Sequence, residues 1–410
     1  MANVVLVGTL DSKSTEYAWL RERIEAHGVT TTTIDVGTFS DAEADISARE
    51  VAEAADTSIE QLRESDDRGA AMTAMGQGAA AIVAQQYAEG GLQGIVALGG
   101  SGGSSVAATA MQALPVGVPK LLVSTVAAGD TTPYVGAKDV TMMPSIVDIA
   151  GINQVSAEIL ANAAAAIAAM AGDYEQRQAA PVDRDARPLV AATMFGVTTP
   201  AVDEARARLE ELGYEVLVFH ATGSGGKAME ALAADGFLAG VLDLTTTELA
   251  DELIGGVLSA GPDRLSAAGT AGLPQVVSVG ALDMCNFGPE DSIPEKFAGR
   301  SFVVHNPTVT LMRTTTEENA ELGRQIAHKL AAASGPTEIR LPLRGISLID
   351  VDGGPFYDPA ADSALFDAIR SGLEGTNVTV VEEDAAINDE GFGRRAAERL
   401  HELITKENDG

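Results

Sequence analysis

Residues 3–37 read NVVLVGTLDSKSTEYAWLRERIEAHGVTTTTIDVG. The apolar run NVVLVG ends in a Gly-Thr turn. Tyr17, Leu20 and Ile24 then recur at helical spacing until Gly28 stops them. VTTTTIDVG, rich in β-branched residues, supplies the next strand. The same order of strand, threonine turn, helix, glycine and strand returns at residues 188–223, PLVAATMFGVTTPAVDEARARLEELGYEVLVFHATG. There Thr193 and Gly213 take the places of Thr9 and Gly28. Identity between the two stretches is low, so a supersecondary unit recurs. Two β-α-β beginnings predict an α/β protein of two Rossmann-like subdomains. Each would hold a mainly parallel sheet flanked by helices, with a ligand crevice at the strand carboxyl ends.

Working outward, 410 residues exceed one ordinary core. The stretch GDYEQRQAAPVDRDARP, Gly172–Pro188, carries charge, two prolines and no apolar period, and reads as a linker. The expected division is a nucleotide-binding α/β domain over 1–180 and a second α/β domain with a Gly-rich loop over 188–410. A formal charge of −32 argues against a nucleic-acid partner, because phosphate backbones would be repelled at long range. With only seven lysines against 59 acidic residues, the composition also fits a protein working in concentrated salt. The single Cys285 excludes an intrachain disulfide. The amino terminus enters a strand at once, and the Ala-rich stretch from Val155 to Ala171 is interrupted by Glu158 and Asn162. No membrane contact is expected, and the cytoplasm is the expected location.

The strongest local signal for chemistry is VALGGSGGSSVAA, Val96–Ala108. A buried strand gives way to Gly99, Gly100, Ser101, Gly102, Gly103 and Ser104, and then to a helix. Free amides and the positive end of the helix dipole suit a phosphate there, although glycines also serve a plain tight turn. Thr9, Ser12 and Lys13, after the first strand, would share that crevice if the strands are neighbours, with Lys13 as a point charge for a phosphate. Beyond a later strand, Thr125, Asp130, Asp139 and Asp148 are candidate ligands for the hard cation that accompanies phosphates.

In the second half, ATGSGGKAME (Ala221–Glu230) comes close to a P-loop but lacks its first glycine and final hydroxyl. Gly223, Gly225 and Ala228 also fit a dinucleotide fingerprint, with Asp243 placed to meet a ribose. Lys227 suits an anionic ligand better than a pyrophosphate turn, so Gly223, Ser224, Gly225 and Gly226 are read first as an anion loop. Two further segments would line this crevice. GALDMCNFGP groups Asp283, Cys285 and Asn286, and HNPTVTLMRTTTEE offers His305, Asn306, Thr308 and Arg313. His220 or His305 would serve as acid or base near neutral pH. A lone cysteine is more often a small buried hydrophobe than a nucleophile.

Several motifs in fixed order carry a resemblance. TLDSKSTE with IDVG, LGGSGGSS, YVGAKDVTMMPSIVDIAGIN, FHATGSGGKAME, GALDMCNFG, HNPTVTLMRTT and LPLRGISLIDVDGGPFYDPAAD span roughly Val4 to Arg399. The chain resembles the uncharacterised family that shares the ATP-binding domain of the tomato mosaic virus resistance protein. That resemblance implies a homodimer able to bind ATP with Mg²⁺. It implies a nucleotide site at Thr9, Lys13, Gly99–Ser104 and Thr125, and a second site at Gly223–Lys227. The plant relatives' TIM-barrel-like domain is expected to have no counterpart here, and antiviral activity is not expected to transfer. The expected function is ATP binding, with Asp139 and Asp148 on the metal. Lys227, Asp283, His305 and Asn306 would act on a small anionic molecule by phosphoryl transfer or hydrolysis. The alternatives are an NAD-dependent oxidoreductase and a non-enzymatic nucleotide sensor or dimeric scaffold.

Overall fold

The computed structural model of the chain describes residues 1–65, 67–180 and 187–408. It divides into two compact units, Met1–Asp183 and Arg184–Gly410. Unit 1 begins β1 (Asn3–Gly8), α1 (Leu10–Glu25) and β2 (Thr30–Asp35), followed by α2 (Ala48–Glu53), α3 (Ile59–Glu64) and α4 (Arg68–Ala88). It continues β3 (Gly94–Gly99), α5 (Ser101–Gln112), β4 (Lys120–Ser124), α6 (Thr132–Val135), β5 (Thr141–Pro144) and α7 (Gln154–Ala179). The five strands pair in parallel in the order β2-β1-β3-β4-β5.

A parallel sheet is covered on both faces, so its central strands are apolar throughout. On β1 and β3, Val5, Val7, Ile95 and Ala97 face α4 and α5. The alternate residues Val4, Leu6, Val96 and Leu98 face α1 and α7. Tyr17 of α1 ties the two central strands together. Its hydroxyl donates to the Val7 carbonyl at 2.6 Å and accepts from the Leu98 amide at 2.7 Å.

Helix α7 departs from the sequence reading twice. It is long and apolar enough to cross a bilayer by length and composition, yet Leu160, Ala163, Ile167 and Ala171 are buried against the sheet. It also runs through the first eight residues of the stretch read as a linker, because the buried Tyr174 continues its apolar face. Residues 181–186 of that stretch lie outside the described residues.

Unit 2 begins β6 (Leu189–Met194), α8 (Thr199–Glu211), β7 (Glu215–His220), α9 (Ser224–Ala234), β8 (Gly240–Thr245), α10 (Glu248–Ile254), α11 (Ala267–Thr270) and β9 (Gln275–Gly280). Next come β10 (Met284–Phe287), β11 (Phe302–Asn306), β12 (Val309–Arg313) and α12 (Thr316–Ala331). The chain closes with β13 (Thr337–Pro342), α13 (Pro359–Leu373), β14 (Thr379–Glu383) and α14 (Phe392–Asn408). The main sheet is parallel, in the order β14-β13-β9-β8-β6-β7. Its first three strands therefore repeat the arrangement of unit 1, with the first strand between the second and third. A separate antiparallel sheet, β10-β12-β11, is the one non-parallel addition among the described residues.

Candidate functional site

In this strand order the chain leaves β1 to one side and β3 to the other, so the loops beyond their carboxyl ends part and open a crevice. Unit 1 has a cavity of about 760 Å³ there, within the usual range for small-molecule sites. Thr9, Lys13, Gly100, Ser101, Gly102 and Gly103 line it, as does Asp148. Gly99, Ser104 and Thr125 adjoin this lining without being part of it. Gly99 ends β3 against the first turn of α5, and the buried Ser104 hydroxyl is bonded to that of Ser124 at 2.6 Å. Thr125 is exposed, its amide bonded to the Gly99 carbonyl, and is not in the lining.

The expected metal pair is split. Asp139 pairs with the buried Lys120 at 2.8 Å and accepts from the Gly117 amide, whereas Asp148 faces the cavity. Among the described residues no group of three or more His, Cys, Asp or Glu could hold a metal ion.

The α5 turn has two properties that matter. The amides of Ser101, Gly102 and Gly103 donate no hydrogen bond to another part of the described chain. A Cβ at Gly100 or Gly103 would meet its nearest neighbour at 3.7 or 3.6 Å, so packing does not require glycine at either position. Their bareness leaves room beside open amides, which is where an anion sits. Lys13 is half-buried, and its ammonium donates to the Ile149 carbonyl at 2.6 Å. Reading along the chain missed the loop after β2, with Gly37, Thr38 and Phe39, and also Arg68 at the start of α4. The rule that ligands gather beyond strand carboxyl ends would have found the first group.

Unit 2 has the same crossing point, and there it is filled. Both the Gly223 and Gly226 amides donate to one oxygen of Glu248, at 2.7 and 3.0 Å. Its other oxygen accepts from Arg264 at 2.6 Å. A Cβ at Gly226 would lie 2.1 Å from that carboxylate. The loop glycines of α9 thus do grip an anion, but the anion belongs to the chain, and the external phosphate expected at Gly223, Ser224, Gly225 and Gly226 is displaced by it. Arg264, fully buried, also bonds both oxygens of Asp243 and pairs with Glu230. Asp243 further accepts from the Thr193 hydroxyl at 2.7 Å. Asp243, which the dinucleotide reading assigns to a ribose, is thus engaged by the chain's own groups.

The four residues expected to act chemically are not assembled. Lys227 and His220 are exposed. His305 and Asn306 stand at the exposed end of the β11–β12 hairpin, where the Asn306 side chain accepts from the Thr308 amide and hydroxyl and so shapes the turn. Asp283 is fully buried and accepts from the Ser347 hydroxyl at 2.8 Å. Near it Arg313 bonds Asp362 at 2.7 Å and approaches Asp350 at 3.6 Å. Burial pushes the Asp283 carboxyl up to about 7, and burial with two like-charged neighbours pushes Asp350 up to about 8. Burial beside Asp251 also drives the Cys285 thiol far above its ordinary value, which leaves it protonated and inert.

Residues 2–176 match the N-terminal domain, and residues 187–404 the C-terminal domain, of an uncharacterised protein family (UPF0261). The chain belongs to UPF0261. A UPF0261 protein of Clostridium tetani is 50% identical over 98% of this chain and 99% of its own length. One of Rhizobium meliloti is 44% identical over 98% and 99%. The ToMV resistance protein Tm-1(GCR237) of Solanum lycopersicum is 43% identical over 83% of this UPF0261 chain, which spans 45% of that longer protein. Among solved structures, the UDP-GlcNAc 2-epimerase of Methanocaldococcus jannaschii aligns over 68% of this chain and 83% of its own. At 6% identity and a TM-score of 0.22, that likeness carries no argument about the ligand.

Proposed function

We propose that this UPF0261 chain is a cytoplasmic nucleotide-binding protein that takes ATP with Mg²⁺ in the crevice of unit 1 and works as a homodimer. The observation that carries this reading is the turn at Ser101–Gly103, whose amides are open and whose flanking glycines are not needed for packing. Lys13 supplies a cation to the phosphates. Asp148, with phosphate oxygens completing the shell, fits Mg²⁺, an ion that takes one or two carboxylates and keeps the rest of its ligands from phosphate and water. Phosphoryl transfer or hydrolysis is the reaction class such a site serves, since positioning and electrostatics suffice for it.

A calorimetric titration with Mg·ATP tests the reading, and no heat at millimolar ligand would remove it. Lys13→Ala is expected to weaken Mg·ATP binding roughly tenfold or more, the size of one lost charge-assisted hydrogen bond.

One observation favours a second reading, a nucleotide sensor without turnover. Lys227, His305 and Asn306 are exposed while Asp283 is buried, so these four form no common reaction centre. Intact ATP binding with no turnover across a panel of phosphorylated metabolites would select it.

A further inference from the structure

Phe39 is 68% exposed, and no other described aromatic side chain of unit 1 is in the exposed class. It does not sit on a loose loop. The Gly37 amide donates to Asp35 at 2.8 Å, and the Phe39 amide to Asp11 at 3.4 Å. Arg63 of α3 reaches across to the carbonyls of Thr38 and Ser40 at 2.8 and 2.9 Å. A Cβ on Gly37 would lie 2.8 Å from the Asp11 carboxyl carbon, so the backbone is held tight against that side chain. The backbone that carries this exposed apolar ring is therefore fixed by polar groups on both sides of it.

The ring and the α5 turn line the same cavity. Met72 joins them, its methyl 3.2 Å from where a Gly102 Cβ would stand, and Arg68 comes within 3.9 Å of the same point. The lining thus combines open amides and a guanidinium with an aromatic side chain and the apolar Leu62 and Met72. A ligand that satisfies both has an anionic tail and a flat ring.

We propose that Phe39 is the stacking platform for the base of a bound nucleotide, on a loop backbone already held in position before the ligand arrives. The proposal rests on the nucleotide reading above and gives it a ring-recognising residue. Preorganisation favours binding because the loop need not be ordered when the ring is covered, and an aromatic face accepts any base.

The experiment compares Mg·ATP with magnesium tripolyphosphate, which has the same tail and no ring, by calorimetry on the full chain. Phe39→Ala is expected to weaken Mg·ATP about tenfold or more while leaving tripolyphosphate unchanged, and Phe39→Tyr to bind both as the parent does. Equal Mg·ATP affinity in the parent and Phe39→Ala would overturn the platform while leaving the anion site standing. A loss of tripolyphosphate binding equal to that of ATP in Phe39→Ala would also overturn it, by showing that the ring only shapes the turn. Binding of neither ligand by the parent would remove the nucleotide reading itself, and the platform with it. Because Phe39 is exposed, its removal leaves the cores untouched.

Discussion

Glu248 does at the α9 loop of unit 2 what a phosphate would do at the α5 turn of unit 1. Its carboxylate accepts from two loop amides and from a buried guanidinium, so three groups depend on one side chain. Glu248→Ala strips a partner from each amide and leaves Arg264 to Asp243 and Glu230. The expected cost is about 3 kcal/mol, the order for breaking a buried, hydrogen-bonded charge pair. The vacated space also has the right donors for a small anion. Acetate, at constant ionic strength, should therefore raise the melting temperature of Glu248→Ala by more than it raises that of the parent. Equal response in both proteins would mean that the loop closes up once the side chain is gone.

The element that decides the nucleotide reading is α5, because its first turn is bare by composition and open in space. Gly103→Ala separates stability from binding. Alanine is the better helix former by up to about 1 kcal/mol, and the added methyl has room. Denaturant melts should show equal or greater stability, while Mg·ATP affinity falls roughly tenfold as the methyl enters the ligand's space. This turn, β1 and the crossing-point crevice were legible in the sequence, since a strand buried on both faces is an apolar run and a bare turn is a run of glycines. The plug in unit 2 was not. Glu248 and Arg264 are 16 residues apart, and buried charges look like surface ones until the fold brings them together. The turn of the β11–β12 hairpin is a local matter by contrast. Asn306 and Pro307 are turn formers, and the Asn306 side chain is used up by its own loop. In α7, the charged residues after Gly172 suggested a break, but the continued burial of Tyr174 kept the helix going.

At the scale of the whole molecule, acid groups buried in unit 2 set a pH dependence opposite to that of ordinary surface carboxylates. Burial raises Asp251 and Asp283 to about 7 and Asp350 to about 8. Asp283 Oδ1 and both oxygens of Asp350 receive no hydrogen bond from a described residue. In the unfolded chain these groups ionise in the usual carboxylate range. Between that range and the raised values, the folded state holds protons that the unfolded state has released. Their contribution is therefore complete at low pH and is lost as pH rises towards 8. Each group titrating alone gives a slope of about 1.4 kcal/mol per pH unit. Unfolding at pH 5.5 and 8.5 should show the greater stability at the lower value, and Asp350→Asn should flatten the difference. Stability that climbs across this interval would contradict the assignment.

The sealed thiol of Cys285 has a practical corollary. Maleimide and iodoacetamide reagents near neutrality find no ionised sulfur in the native fold, so the parent protein is already a blank background for labelling. A cysteine placed on the open loop after β2 would be the sole handle for a fluorophore. Ligand arrival in the neighbouring crevice would then register as a change in brightness, without first engineering any native residue away.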